Sequence, residues 1–98
     1  MITLDEIKLY LRVDSDYEDD YIKFLVETSE TYIDSMVGTK YKEAIINFPL
    51  EEFATERLVK LLQKKLIADM YTNRGTEIPA NTKKDIIAVS ILDKLSNY

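Results

Sequence analysis

One stretch dominates the hydrophobic pattern of the chain. From Leu50 to Arg74 it runs about six helical turns without Gly or Pro, and it stops at Gly75. Projected at about 100° per residue, its apolar positions fall in two rows. Leu58, Leu62, Leu66 and Met70 form one, and Phe53, Leu61, Ala68 and Tyr71 form the other. A helix on the outside of a single domain needs one apolar face. Two faces predict a helix covered on both sides, by its neighbours in the chain and by another copy of the protein.

A second long helix is predicted from about Tyr17 to Val37, ended by Gly38. Ile22, Leu25, Val26, Ser29, Tyr32, Ile33, Met36 and Val37 share one face, while Lys23, Glu27, Glu30, Thr31 and Asp34 take the opposite one. Burial on one side only makes it the antiparallel mate of the central helix. Ser15 or Asp16 is expected to cap it, with Glu18, Asp19 and Asp20 complementing the positive end of its dipole. Asp14, Asp16, Glu18 and Asp19 are thus expected to form an acidic helix cap. Acids at 14, 16 and 18 also imitate the start of a calcium loop, but Asp19 stands where the turn glycine is needed and Leu25 where the bidentate Glu should be. No metal site is expected there.

The remaining elements are shorter. Thr3 and Glu6 have capping-box spacing, which predicts a helix from Leu4 to about Leu11 with Leu4, Ile7 and Leu11 on one side. Thr39 to Pro49 connects the two long helices as either a short helix or an extended segment. Its apolar run, Ala44 to Ile46, is too short to classify by period, and the connection with its hydrophobic residues either packs on the core or reaches outward to a neighbour. Lys40 and Lys42 suit the negative pole of the preceding helix, and Glu51 and Glu52 the positive pole of the next. After the polar turn beyond Gly75, Asn81 or Thr82 is placed to cap a last helix of about Thr82 to Ser96. Its main stripe is Ile87, Ala88, Ile91, Leu92 and Leu95, with Ile86 and Val89 pointing elsewhere. The expected fold is all-α: one domain over 1–98, a small bundle of about four helices with two long antiparallel members at about 17–37 and 50–74.

Composition narrows the function. A chain of 98 residues buries only about two-thirds or less of its unfolded surface, so association is a common supplement to its core. With no Cys and no His, disulfides, thiolate nucleophiles, imidazole bases and the usual zinc ligands are all excluded. An enzyme is not expected, nor is a cofactor. No apolar run approaches the ~20 residues that span a bilayer, and no secretory signal pattern opens the chain, so an intracellular product without membrane contact is expected. The net charge of −5 is uneven: residues 1–35 carry ten acids against three bases, and residues 36–98 eight acids against ten bases. An acidic protein should not grip DNA tightly. Its unlike halves either favour head-to-tail contact between copies or reflect solvated helix faces whose charges segregate by chance.

Beyond these constraints, the chain resembles the head–tail connector (adaptor) family of tailed bacteriophages, often labelled DNA-packaging proteins. The family's opening T-L-x-E-x-K-x-Y-L-R-V-D is matched by Thr3, Leu4, Glu6, Lys8, Tyr10, Leu11, Arg12, Val13 and Asp14. Glu18 and Asp19 match its acidic cap, and Tyr71, Asn73 and Arg74 match a Y-x-N-R ending on the central helix. The resemblance implies a structural subunit that forms a homo-oligomeric ring beneath the portal. DNA would pass through without specific binding, and a stopper or tail protein would attach to the far side. The location implied is the virion head–tail junction, with host cytoplasm during assembly.

Phe53, Leu61, Tyr71, Arg74, Ile86, Val89, Leu95 and Tyr98 are accordingly the candidate interface residues. Arg74 either caps the carbonyls ending the central helix or pairs with an acid of the N-terminal segment. The alternative to a connector is an acidic helical interaction module, for instance one that mimics DNA to occupy a DNA-binding partner.

Overall fold

The computed structural model describes residues 1–73 and 86–98. They form five α-helices and no strands: α1 (Leu4–Leu11), α2 (Asp19–Val37), α3 (Lys40–Asn47), α4 (Phe53–Asn73) and α5 (Ile86–Ser96). That is one helix more than the pattern predicts, because the connection after α2 is itself helical. Gly75, the predicted caps Asn81 and Thr82, and the first turn predicted for the last helix lie outside the described residues.

The capping box forms as its spacing requires. The Glu6 N–H donates to the Thr3 hydroxyl (3.2 Å), and the Thr3 N–H donates back to the Glu6 carboxylate (3.1 Å). At the other end Arg12 takes a left-handed conformation (φ 61°), which lets the Val13 N–H reach the Lys8 carbonyl. Helix α2 begins at Asp19, two residues later than expected, and its start departs from the predicted cap. Glu18 occupies the N-cap position without a side-chain capping hydrogen bond. Asp14, Ser15 and Asp16 are exposed, and Lys8 draws the carboxylates of Asp19 (2.7 Å) and Asp16 (3.4 Å) toward α1. A lysine across the turn thus competes for the groups that local spacing assigned to the cap, leaving Asp19 and Asp20 to interact with the helix dipole.

Gly38 ends α2 at φ 82°, a conformation strained for any residue with a Cβ. The chain then folds back as α3, which lays Tyr41 and Lys42 against α2. Tyr41 is fully buried and donates to the Asp34 carboxylate (2.6 Å). Lys42 bridges Asp34 (2.5 Å) and Glu30 (2.8 Å). Burial works to lower the Lys42 pKa, but those two carboxylates outweigh it and raise it. The face of α2 read as fully solvated is therefore partly covered, and α2 is not buried on one side only. Helix α4 starts at Phe53 in place of Leu50, because residues 49–52 form a turn; the Glu52 carbonyl then accepts the Glu56 N–H (3.0 Å).

The long helices are antiparallel. Tyr21 at the start of α2 meets Tyr71 at the end of α4, with ring centroids 6.4 Å apart. Midway, the Gln63 amide donates to the Ser29 hydroxyl (3.0 Å) while its carbonyl accepts the Ile2 N–H (2.9 Å). Ile2, Ser29 and Gln63 are all buried. Around this polar node lie Ile7, Ile22, Leu25, Ile33, Val59, Leu62, Leu66, Ile67, Met70, Ala88, Ile91 and Leu95. Helix α5 closes the bundle against both α2 and α4.

Gln63→Ala strands the buried Ile2 N–H, takes from the Ser29 hydroxyl the proton it accepts while leaving its own bond to the Val26 carbonyl (2.7 Å), and opens a cavity. Urea denaturation should show a loss of about 2–4 kcal/mol, against about 1–2 kcal/mol for Ser29→Ala, which leaves one buried Gln63 N–H without its acceptor but opens a much smaller space. Equal losses for the two variants would contradict the node.

Candidate subunit interface

The inner side of α4 is Thr55, Val59, Leu62, Gln63, Leu66, Ile67 and Met70, all buried. Its opposite side carries Phe53, Arg57, Leu61 and Lys64, at steps of four, four and three residues. Of the predicted second row, Phe53 (59% exposed) and Leu61 (36%) are open, whereas Ala68 is half-buried and Tyr71 is half-buried against Tyr21. The upper part of the row is free for a partner, and the lower part is covered within the subunit. The Arg57 guanidinium lies over the Phe53 ring (5.8 Å), and the Lys64 ammonium over the Tyr10 ring (5.6 Å). Lys60 reaches back to Glu6 of α1 (3.2 Å). Between α1 and this side of α4 runs an open groove of about 720 Å³.

Other predicted interface residues are dispersed. Ile86 (81%) and Val89 (49%) are exposed on α5, as their position off its main stripe requires. Leu95 is a correction: it is 1% exposed and belongs to the core, because the stripe it shares with Ala88 and Ile91 faces α2 and α4. Tyr98 is half-buried and turned onto its own chain, with its hydroxyl 2.6 Å from that of Thr55 and donating to the Glu52 carboxylate (2.5 Å). Thr55 donates to the same carboxylate (2.9 Å). The Tyr98 and Thr55 hydroxyls hold the Glu52 pKa below its ordinary value, while burial and then Glu52 push the Tyr98 phenol up. Arg74 lies outside the described residues.

A second exposed surface was not among the candidates. Around the turn from α3 to α4, Ile46 (76%), Phe48 (56%) and Leu50 (88%) point into solvent next to Phe53. The sequence signal for them was the apolar content of the connection, and both of its predicted fates occur. Within the connection Tyr41 goes inward and Ile46 and Phe48 go outward, and Leu50, expected to open the central helix, is exposed in the turn before it.

The hydroxyls and carboxylates here bind one another within the fold. Among the described residues no group of three or more acidic side chains could hold a metal ion, and no helix is long and apolar enough to cross a membrane. What these surfaces can do is bury apolar area against another protein. A family model described as phage gp6-like head-tail connector protein matches residues 1–97. The chain belongs to that family. No curated protein and no solved structure matches it significantly. The connector family is structural, acts with portal and tail proteins and belongs to the phage particle.

The Glu52 latch sets an acid limb for stability. A carboxyl whose folded pKa lies below its unfolded value stabilises the fold above the unfolded value, near 4.5 here. That contribution disappears as pH falls through the folded value. The melting temperature should hold from pH 7 to about 5 and decline below that. In Glu52→Gln, which cannot ionise, the decline should be shallower; an unchanged slope would remove Glu52 from this role.

Proposed function

We propose that this connector is a subunit of a homo-oligomeric ring at the phage head–tail junction. The ring docks beneath the portal, passes DNA through its centre and presents a platform for a stopper or tail protein. The observation that carries this reading is the placement of exposed apolar residues on a bundle whose core is already filled. Phe53 and Leu61 lie on α4, and Ile46, Phe48 and Leu50 at the adjoining turn. Small monomers with a complete core rarely leave so many large apolar side chains in water. The net charge of −5 supports passage over binding, because an acidic lumen repels phosphates and lets the duplex slide. The proposed location is the host cytoplasm during assembly and the virion afterwards.

Light scattering of the purified connector, alone and mixed with portal, tests this. Association into a ring in either sample is the expected result; a strict monomer at high concentration that also ignores portal would overturn the proposal. Replacing Ile46, Phe48 and Leu50 together by Ser should change unfolding free energy by less than about 0.5 kcal/mol per site. The same variant should weaken association at least tenfold, about 1.4 kcal/mol.

A further inference from the structure

The outer faces of the two long helices match in spacing and oppose in charge. On α2 the residues opposite its buried side are Asp20, Phe24, Glu27 and Thr31, all exposed. On α4 the corresponding outer residues are Phe53, Arg57, Leu61 and Lys64. Asp20, Phe24 and Glu27 read acid, apolar, acid at steps of four and three. Arg57, Leu61 and Lys64 read base, apolar, base at the same steps. Seven residues are nearly two full turns, about 10.5 Å along the axis. Each set therefore lies almost on one line, with its charges equally far apart and an apolar residue between them.

Arg57 and Lys64 rest on the Phe53 and Tyr10 rings, but none of these charges is neutralised by an opposite one inside the subunit. Among the described residues neither Asp20 nor Glu27 has a basic partner, and neither Arg57 nor Lys64 has an acidic one. By contrast Lys60 of α4 is paired with Glu6, and Lys8 and Lys42 of the short helices are paired with acids of α2; Lys23 stands on the flank of the α2 face. Because α2 and α4 pack on each other, their outer faces lie on opposite sides of the subunit. Two different, complementary patches on opposite sides give a head-to-tail contact, which closes into a ring when the rotation between copies allows. A pairing of identical patches would set acid against acid or base against base.

We infer that, in the ring proposed above, on which this reading rests, α2 of one copy docks its Asp20–Phe24–Glu27 face on the Arg57–Leu61–Lys64 face of α4 in the next copy. The helices run antiparallel across the contact, as they do within the subunit, because rotation about an axis along the bundle leaves helix direction unchanged. Phe24 then meets Leu61 and enters the groove between α1 and α4. Asp20 lies opposite Lys64, and Glu27 opposite Arg57.

The chain has no cysteine, so Phe24→Cys and Leu61→Cys each introduce a lone thiol. Treated with a short bis-maleimide, a mixture of the two variants should yield a covalent dimer containing one of each, and neither variant alone should do so. A chain carrying both changes should give a ladder of covalent multimers. Dimers of Phe24→Cys with itself, or oligomers in which 24 and 61 never link, would overturn the pairing and leave the connector ring standing. No association by light scattering, with or without portal, would overturn the ring and the pairing together. Independently, Asp20→Lys with Glu27→Lys should lower association at least tenfold, and adding Arg57→Glu and Lys64→Glu should restore it. Circular dichroism verifies folding, since none of the four side chains is in the core. A folded quadruple variant that stays dissociated overturns the pairing.

Discussion

Where α2 and α4 meet, Gln63 uses both ends of its amide, the carbonyl on the Ile2 N–H and the NH₂ on the Ser29 hydroxyl. All three residues are buried, and a polar group left unpaired there costs about 1–3 kcal/mol. Apolar side chains tolerate sliding between helices, whereas this node has few satisfied arrangements. It ties the depth and register of α4 against α2 to the position of the N-terminus. The capping box then starts α1, which packs against both α2 and α4 with Ile7 buried in the shared core. With the inner faces set in this way, the outer faces of both long helices are set as well.

The charged residues divide along the same line. Lys8, Lys42 and Lys60 each join one element to another: α1 to the start of α2, α3 to α2, and α4 to α1. Such partly exposed pairs contribute modestly to stability, about 0–1 kcal/mol each, but they orient the short helices around the long pair. Tyr98 and Thr55 do the same for the entry to α4 through Glu52. Left outside these links are, among others, the apolar surface at the turn from α3 to α4, the exposed Ile86 and Val89 of α5, and two faces of unlike charge. For a connector of 98 residues this is physically coherent. A small core holds the subunit in one shape, and the proposed contact with neighbours in the particle would bury what that core cannot.

Much of this was legible in one dimension because it depends on neighbours three or four residues apart. The Thr3–Glu6 capping box, the break at Gly38, the antiparallel pairing of the long helices and the exposure of Phe53, Leu61, Ile86 and Val89 all follow from local chemistry and helical period. The same local patterns carried the resemblance to phage connectors, which the family match over residues 1–97 establishes.

Other features were decided by groups distant in sequence. A helical period says which residues share a face, but not what that face meets. Asp34 and Glu30 looked solvated until α3 returned across them with Tyr41 and Lys42, and Leu95 went into the core because α5 turns its stripe to α2 and α4. Asp16 and Asp19 were claimed by Lys8 from another helix. By itself the sequence determined the helices, their polarity pattern and the family, because those rest on local spacing. Only the tertiary structure decided which polar groups are spent inside and which apolar residues are left outside, because each such choice is a competition between partners that only folding brings together.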